Sequence, residues 1–365
     1  EIPVDDSPMV RHDRANTGRV PTAFNGAIQL FSNAVAAARI TTPPVVSDQL
    51  VIAASADHSI YGFNRAAGNQ AWKYTTSGVV SMPLLVQDHT LYYVDDEGGR
   101  AKAGAIQLGS NTPQWLVDLH AASYAGSAAA ATGFIPADDS LYIGVKANDK
   151  YYIVRMDRGG GGTLAAFDLG ALPPVGLAVG HQLLYVAGSQ LWALDLDTLE
   201  VVWTRADLGN PAVAPLYAAN GVSALAELYL AFNDGRTHAL DANTGALLHS
   251  YGSNGQPVKG LALGDGALYV TTTGMIRAFE RRSSGLYWEK PTAGDTLNGA
   301  IVTPDQIILV STNGVIEFRQ PGTGETSGRY AVNGTVSFAP AVSGSYIFVP
   351  VDNGSGVGQV YGYAQ

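Results

Sequence analysis

No cysteine occurs in the 365 residues. That excludes disulfides, thiolate metal sites and cysteine nucleophiles. It leaves the compartment open, because a reduced cytosol and many exported bacterial proteins both suit a cysteine-free chain. Charge is also scarce, at 14% of residues, and its balance is acidic, with a net charge of −10. Nucleic-acid binding needs clustered Lys and Arg, so no nucleic-acid partner is expected. No run of eighteen apolar residues exists, so no membrane-spanning helix is expected. The seven histidines, at 12, 58, 89, 120, 181, 238 and 249, include no pair at metal-ligand spacing. No Gly-x-Ser-x-Gly elbow occurs either.

What the chain does have is glycine, 43 of them, with 18 prolines. They are spread at turn positions, which marks a turn-rich β protein. The stretch Leu183 to Trp203, LLYVAGSQLWALDLDTLEVVW, is one complete unit. Leu184 to Val186, Leu191 to Asp195 and Val201 to Trp203 read as short strands separated by Gly188-Ser189 and Asp197-Thr198. Such a meander cannot bury both its faces alone. Copies of its middle strand recur at Ile60–Asn64, Ala105–Leu108, Ile153–Asp157, Leu191–Asp195, Thr237–Asp241, Ile276–Glu280, Val315–Arg319 and Val360–Ala364. Their fourth residues fall at 63, 108, 156, 194, 240, 279, 318 and 363. A strand-only repeat of roughly forty residues means propeller blades. The expected fold is all-β: one eight-bladed β-propeller of four-stranded antiparallel blades over 27–365, preceded by an arm over 1–26.

Four clusters invite a site. Asp95-Asp96-Glu97-Gly98-Gly99 has the ligand type of a calcium loop but lacks its alternating spacing, and reads as a hairpin tip. Asp195, Asp197 and Glu200 resemble part of such a loop, yet Asp195 stands at a turn where its carboxylate caps backbone N–H groups. Arg158 and the four glycines after it have no helix behind them to hold a phosphate, and read as a surface hairpin. His12, Asp13 and Arg14 read as part of an arm pinned across the torus by salt bridges and an Asn-Thr-Gly turn. No catalytic, cofactor-binding or metal-ligating residue is assigned.

The stretch Ser7-Pro8-Met9-Val10-Arg11-His12-Asp13, ending at Thr17-Gly18, resembles the opening of the bacterial PQQ-like β-propeller repeat family. Ser7 stands where that family often has Trp, and Val10 where it has Phe. Leu240-Asp241-Ala242-Asn243-Thr244-Gly245 and Leu194-Asp195-Leu196-Asp197-Thr198 resemble its repeat turn. Trp72, Trp203 and Trp288 resemble its blade-closing tryptophans and are expected to be mostly buried between blades. The resemblance implies a fold but little function, since propellers host many activities. Non-enzymatic members include outer-membrane assembly factors. The quinoprotein dehydrogenases use PQQ, a metal and a catalytic Asp, but their vicinal cysteine pair cannot exist here.

The expected function is therefore an extracytoplasmic protein-binding or scaffolding propeller without catalytic activity or cofactor. Its expected partner is a protein of the cell envelope. The alternatives are a quinoprotein-type dehydrogenase and a carbohydrate-binding propeller using some of the 18 tyrosines. The chain opens at Glu1 rather than Met, for which a removed signal peptide is the expected reason. Closure is the last expectation. Only Ala364 and Gln365 follow Tyr363, too few for another strand. Ala27 to Phe31 is expected to supply the outermost strand of the last blade, giving 8 × 4 = 32 strands.

Overall fold

A computed structural model describes residues 9, 13, 14, 18–119, 129–219, 226–252, 255–297 and 299–365. Eight antiparallel sheets follow one another, and no helix occurs among the described residues. The first blade is typical. Its strands run Val45–Ser47, Leu50–Ser55, Ser59–Asn64 and Gln70–Thr75, from the innermost outward. The innermost strands touch around the ring: Val45–Ser47 meets both Ala341–Ser343 and Leu85–Gln87, and Gly176–Gly180 meets Ile135–Ala137 and Leu216–Ala218. Second and third strands are buried on both faces, because each blade is covered by two neighbours; Leu183–Ala187 is buried at every position. There are 35 strands rather than 32, because three innermost strands are each broken in two, and 32 + 3 = 35.

The ring closes as expected, through a longer strand than Ala27 to Phe31. Gln29–Ala36 forms the outer edge of the eighth blade and pairs antiparallel with Gly358–Ala364. The register runs from Gln29↔Ala364 to Ala36↔Gly358, with an irregularity between Leu30 and Ser32. Buried anchors flank this seam. Phe24 is 1% exposed and stacks on Phe318 of the seventh blade. The Tyr330 hydroxyl donates to the Gly26 carbonyl at 3.1 Å, and the Gln365 amide donates to the Ala23 carbonyl at 3.0 Å.

Hydrogen bonding resets the repeat register in two blades. Leu108 N donates to the His89 carbonyl as Leu196 N donates to that of Gln182, so the counterpart of Leu194 in the second blade is Ile106. Gln320 N donates to the Glu325 carbonyl as Asp195 N does to that of Glu200, so in the seventh blade the counterpart is Arg319 rather than Phe318. Arg319 is 2% exposed, and Glu317 makes that tolerable. The Glu317 carboxylate accepts from Arg319 at 2.7 Å and from Arg329 at 2.7 Å. Burial still works against the Arg319 charge and lowers its pKa.

Neighbouring blades are joined by tryptophans at one repeat position. Trp72 and Trp288 are buried and Trp203 is half-buried, as expected, and Trp115 joins them once the second blade is realigned. Each indole N–H crosses to the next blade. Trp115 donates to the Arg158 carbonyl, Trp203 to that of Ala242 and Trp288 to that of Pro321, at 2.9, 3.1 and 3.0 Å. The ring lies on a glycine in the following blade's turn, where a Cβ at Gly161, Gly245 or Gly324 would come within 2.7 Å of the indole. These glycines have φ of 70–72°. Where the tryptophan position holds Ala165 or His249 instead, the facing turn residue is Leu199 or Ser284, each held at φ 57°. The indole thus excludes a side chain, and without it one is admitted despite the left-handed backbone.

Two predictions follow from these contacts. Deleting residues 1 to 33 removes most of the seam strand, so calorimetry should show the whole torus losing its cooperative transition; loss of one blade with the rest unchanged would refute the closure. Gly245→Ala should destabilise by roughly 2–5 kcal/mol through indole overlap and left-handed strain, whereas Ser284→Gly should stabilise by up to about 1 kcal/mol. Equal effects of both changes in urea unfolding would count against the pairing of indole with glycine.

Candidate functional site

Several innermost strands are interrupted, within or just before their ladders, and the interruptions border a cavity that is open to solvent on one side. Proline or small residues stand at each break: Pro43-Pro44, Met82-Pro83, Thr132-Gly133, Pro173-Pro174, Ala214-Pro215 and Ala339-Pro340. Proline has no N–H for the ladder. Side-chain hydroxyls take over some lost bonds, with Thr42 accepting from Ala54 N at 3.0 Å and Thr132 from Gly144 N at 2.8 Å. A cavity of about 470 Å³ is bordered by the innermost segments of blades two to six. Met82 to Leu84, Ala131 to Ile135, Val175 to Leu177, Ala212 to Ala214 and Lys259 to Leu261 contribute its walls.

The N-terminal arm reaches this cavity. Met9 is 8% exposed and lines it, packed with residues of the third and fourth blades. The Arg14 carbonyl accepts from Val179 N at 2.9 Å, on the fourth blade's innermost strand. Gly18 and Val20 exchange backbone bonds with Val302 of the seventh blade at 2.7 and 2.8 Å. The arm is therefore pinned to the innermost strands of two separated blades, by backbone bonds. Among the described residues the Arg19–Asp265 salt bridge, at 2.6 Å and exposed on both sides, adds to these bonds. Asp13 is half-buried and Arg14 exposed, while His12, Asn16 and Thr17 lie outside the described residues.

The carboxylate clusters do not converge. Asp95 is 1% exposed, and its Oδ2 accepts from Ser77 N at 2.9 Å and Gly78 N at 3.1 Å. Asp96 accepts from Gly99 N at 2.6 Å, and Glu97 pairs with Lys102 at 3.1 Å. Asp195 Oδ1 accepts from Asp197 N and Thr198 N at 3.0 and 2.9 Å, and these bonds to the charged form help lower its pKa although burial opposes them. The turn role read for Asp195 is what the geometry displays. Among the described residues no group of three His, Asp or Glu side chains could hold a metal ion. Arg158 and its glycines form a turn between the third and fourth strands of blade three, and Arg158 pairs with Asp88 and Asp139 at 3.1 and 3.3 Å.

The histidines are scattered. His58, His89 and His181 occupy left-handed turn positions, with φ of 61°, 60° and 55°. His120 lies outside the described residues, and His249 takes the tryptophan position of blade five. His238 is 6% exposed, with Nδ1 2.9 Å from the Ser250 hydroxyl and its ring 5.3 Å from Phe232. Burial and the nearby Arg236 lower its pKa, Asp234 opposing and Arg205 adding slightly. Tyrosine serves chiefly as core: eleven of the 18 are buried, and Tyr287 is the exposed one among the described residues.

An eight-bladed toroid of four-stranded sheets with the termini sharing one blade is a closed β-propeller. The chain belongs to the PQQ-like propeller family: the model described as outer membrane protein assembly factor BamB matches residues 22–115 and 149–349. None of the curated protein sequences matches the chain. Among solved structures it is similar to quinohemoprotein alcohol dehydrogenase ADHIIG from Pseudomonas putida HK5, at 14% identity and TM-score 0.79, covering 99% of this chain and 80% of that one. It is also similar to BamB from Moraxella catarrhalis, at 18% identity and TM-score 0.68, covering 92% and 99%. A third is quinohemoprotein alcohol dehydrogenase from Comamonas testosteroni, at 14% identity and TM-score 0.78, covering 99% and 80%. At these identities the structural likeness concerns the fold.

PQQ, the cofactor that such a fold brings to mind, is a rigid planar quinone with three carboxylates. Among the described residues Lys259 is the single charged residue of the cavity wall, and the rest are apolar residues, glycines and Thr132. Multiple buried carboxylates without cationic partners are costly, so this lining does not fit PQQ.

His238 gives a pH prediction. Its folded-state pKa lies below the unfolded 6.5, so the unfolded chain takes up the proton first. The stability it contributes is present above pH 6.5 and is lost as pH falls toward the folded value. Urea unfolding between pH 7.5 and 5.5 should show wild type losing more stability than His238→Gln; parallel losses would contradict the assignment.

Proposed function

We propose that this chain is a non-catalytic, protein-binding propeller working outside the cytoplasm, in the bacterial cell envelope. The observation that carries the reading is the apolar character of three consecutive outer edges. Val201 and Val202 in blade four, Leu247 and Leu248 in blade five, and Leu286 and Tyr287 in blade six are 42–55% exposed. Each pair begins an outermost strand, Val201–Arg205, Leu247–Tyr251 or Leu286–Pro291, whose backbone pairs on one side only. An open edge with apolar flanks is a template for another protein's extended segment. Natural propellers usually blunt such edges, and clustered exposed apolar residues mark interaction surfaces.

Two further facts support the reading. The family's model carries the description of an outer membrane protein assembly factor, which points to protein partners at the envelope. Among the described residues the channel cavity presents apolar walls and one lysine. No helix of the described residues is long and apolar enough to cross a membrane.

The test has two arms. Protein incubated with PQQ and Ca²⁺ and then desalted should keep no quinone absorbance and should not support dye-linked oxidation of alcohols or sugars. A partner recovered from the native envelope fraction should then bind in purified form, and the triple variant Val202→Lys, Leu248→Lys, Tyr287→Lys should lose that binding while keeping its melting temperature. Retained quinone with turnover would overturn the reading in favour of a dehydrogenase. Undiminished binding by the variant would move the interface off these edges.

A further inference from the structure

Lys259 stands apart from every other lysine of the chain. Lys73, Lys102, Lys150 and Lys290 each pair with a carboxylate, at 3.4, 3.1, 2.7 and 2.5 Å. Lys146 lies over the Tyr151 ring at 5.8 Å. Lys259 is exposed, and among the described residues no hydrogen bond or ion pair engages it. In a chain of net charge −10, it is the one lysine with neither a carboxylate nor a ring partner among the described residues.

The backbone puts it there. In the innermost strand Val258–Leu263, Val258 pairs with Thr272 and Gly260 with Thr271, so Lys259 is the extra residue of a β-bulge. A bulge takes one residue out of the ladder and re-aims its side chain. Here the bulged residue belongs to the cavity wall, together with Met9, Met82, Phe134 and Leu177 from other elements. Methionine is flexible and polarizable, and suits walls that accommodate chains of varied shape. The remaining polar side chain, Thr132, is already committed: its hydroxyl accepts from Gly144 N at 2.8 Å and donates to the Gly133 carbonyl at 3.0 Å. A volume of about 470 Å³ lies within the range of small-molecule sites. One fixed cation balances one negative charge, and an apolar wall rewards an apolar body.

We propose that the channel cavity binds a singly charged amphiphile, an apolar chain bearing one carboxylate, with the head on the Lys259 ammonium and the chain against Met9, Met82 and Phe134. The site is independent of the outer edges, so its failure leaves the protein-binding reading untouched.

Calorimetric titration with decanoate, below the concentration at which it forms micelles, tests this. Decanoate should bind wild type at one per chain. Lys259→Met should weaken it by about tenfold or more, the loss expected for a charged hydrogen bond. Lys259→Arg should keep most of the affinity. Decanol, which lacks the charge, should bind weakly and equally to wild type and Lys259→Met. Since Lys259 is exposed, neither variant should change the melting temperature. Absence of saturable decanoate binding by wild type would overturn the proposal, as would equal affinity of wild type and Lys259→Met, or decanol binding as tight as decanoate.

Discussion

The seam between Gln29–Ala36 and Gly358–Ala364 is the constraint on which the ring depends. A sheet added blade by blade has two free ends, and neither blade eight nor blade one can bury its faces until they meet. Backbone hydrogen bonds between residues more than three hundred positions apart join them. The entropy of closing so long a loop is large but grows only slowly with length. A seam of a few ladder bonds, backed by Phe24 against Phe318 and by Tyr330 holding Gly26, can therefore offset it. Without Gln29–Ala36, the buried strand Gly358–Ala364 would itself be the open outer edge of blade eight.

Once the ring is closed, adjacent blades must fit at a fixed angle, and indoles set much of that fit. Four tryptophans lie at one repeat position, and three cover glycines that have no room for a Cβ. Buried charge replaces apolar contact at two interfaces. Glu317 with Arg319 lies between blades six and seven, and Glu227 with Arg281, 2.6 Å apart, between blades five and six. Neither pair adds much over an apolar pair of equal volume, but removing one partner strands the other in low dielectric.

Function follows from what the fold leaves unfilled. Broken innermost strands open a cavity in the channel, and the arm threads back along the ring to wall it with Met9. A bulge places one lysine at its wall. At the periphery, outer strands of three successive blades keep apolar side chains in solvent. The first arrangement suits a small amphiphile and the second a protein, and the cavity lining does not suit a tricarboxylate quinone.

The repeat was legible in the sequence because strand alternation and turn residues are local. Period-2 runs bounded by Asp, Asn and Gly predicted eight blades, and the shortage of chain after Tyr363 predicted where the last outer strand must come from. Even the closing tryptophans could be named. Register failed where a local pattern was misleading: buried Phe318 looks like the counterpart of Leu194, yet Arg319 holds that repeat position, buried beside Glu317. Trp115 was hidden by a longer turn, Gln107 to Gln114, in the second blade. The strand breaks left a trace in the sequence, a proline or glycine shortly before most first hairpins, but nothing local says that the innermost segments of five blades border one cavity. Nor does any local signal mark Lys259, whose aim depends on a bulge seen only in pairing with Thr271 and Thr272. Blade number and strand order were thus set by short-range pattern. The cavity, its lone cation and the contacts between blades came from tertiary packing, because they join residues that meet only when the ring is shut.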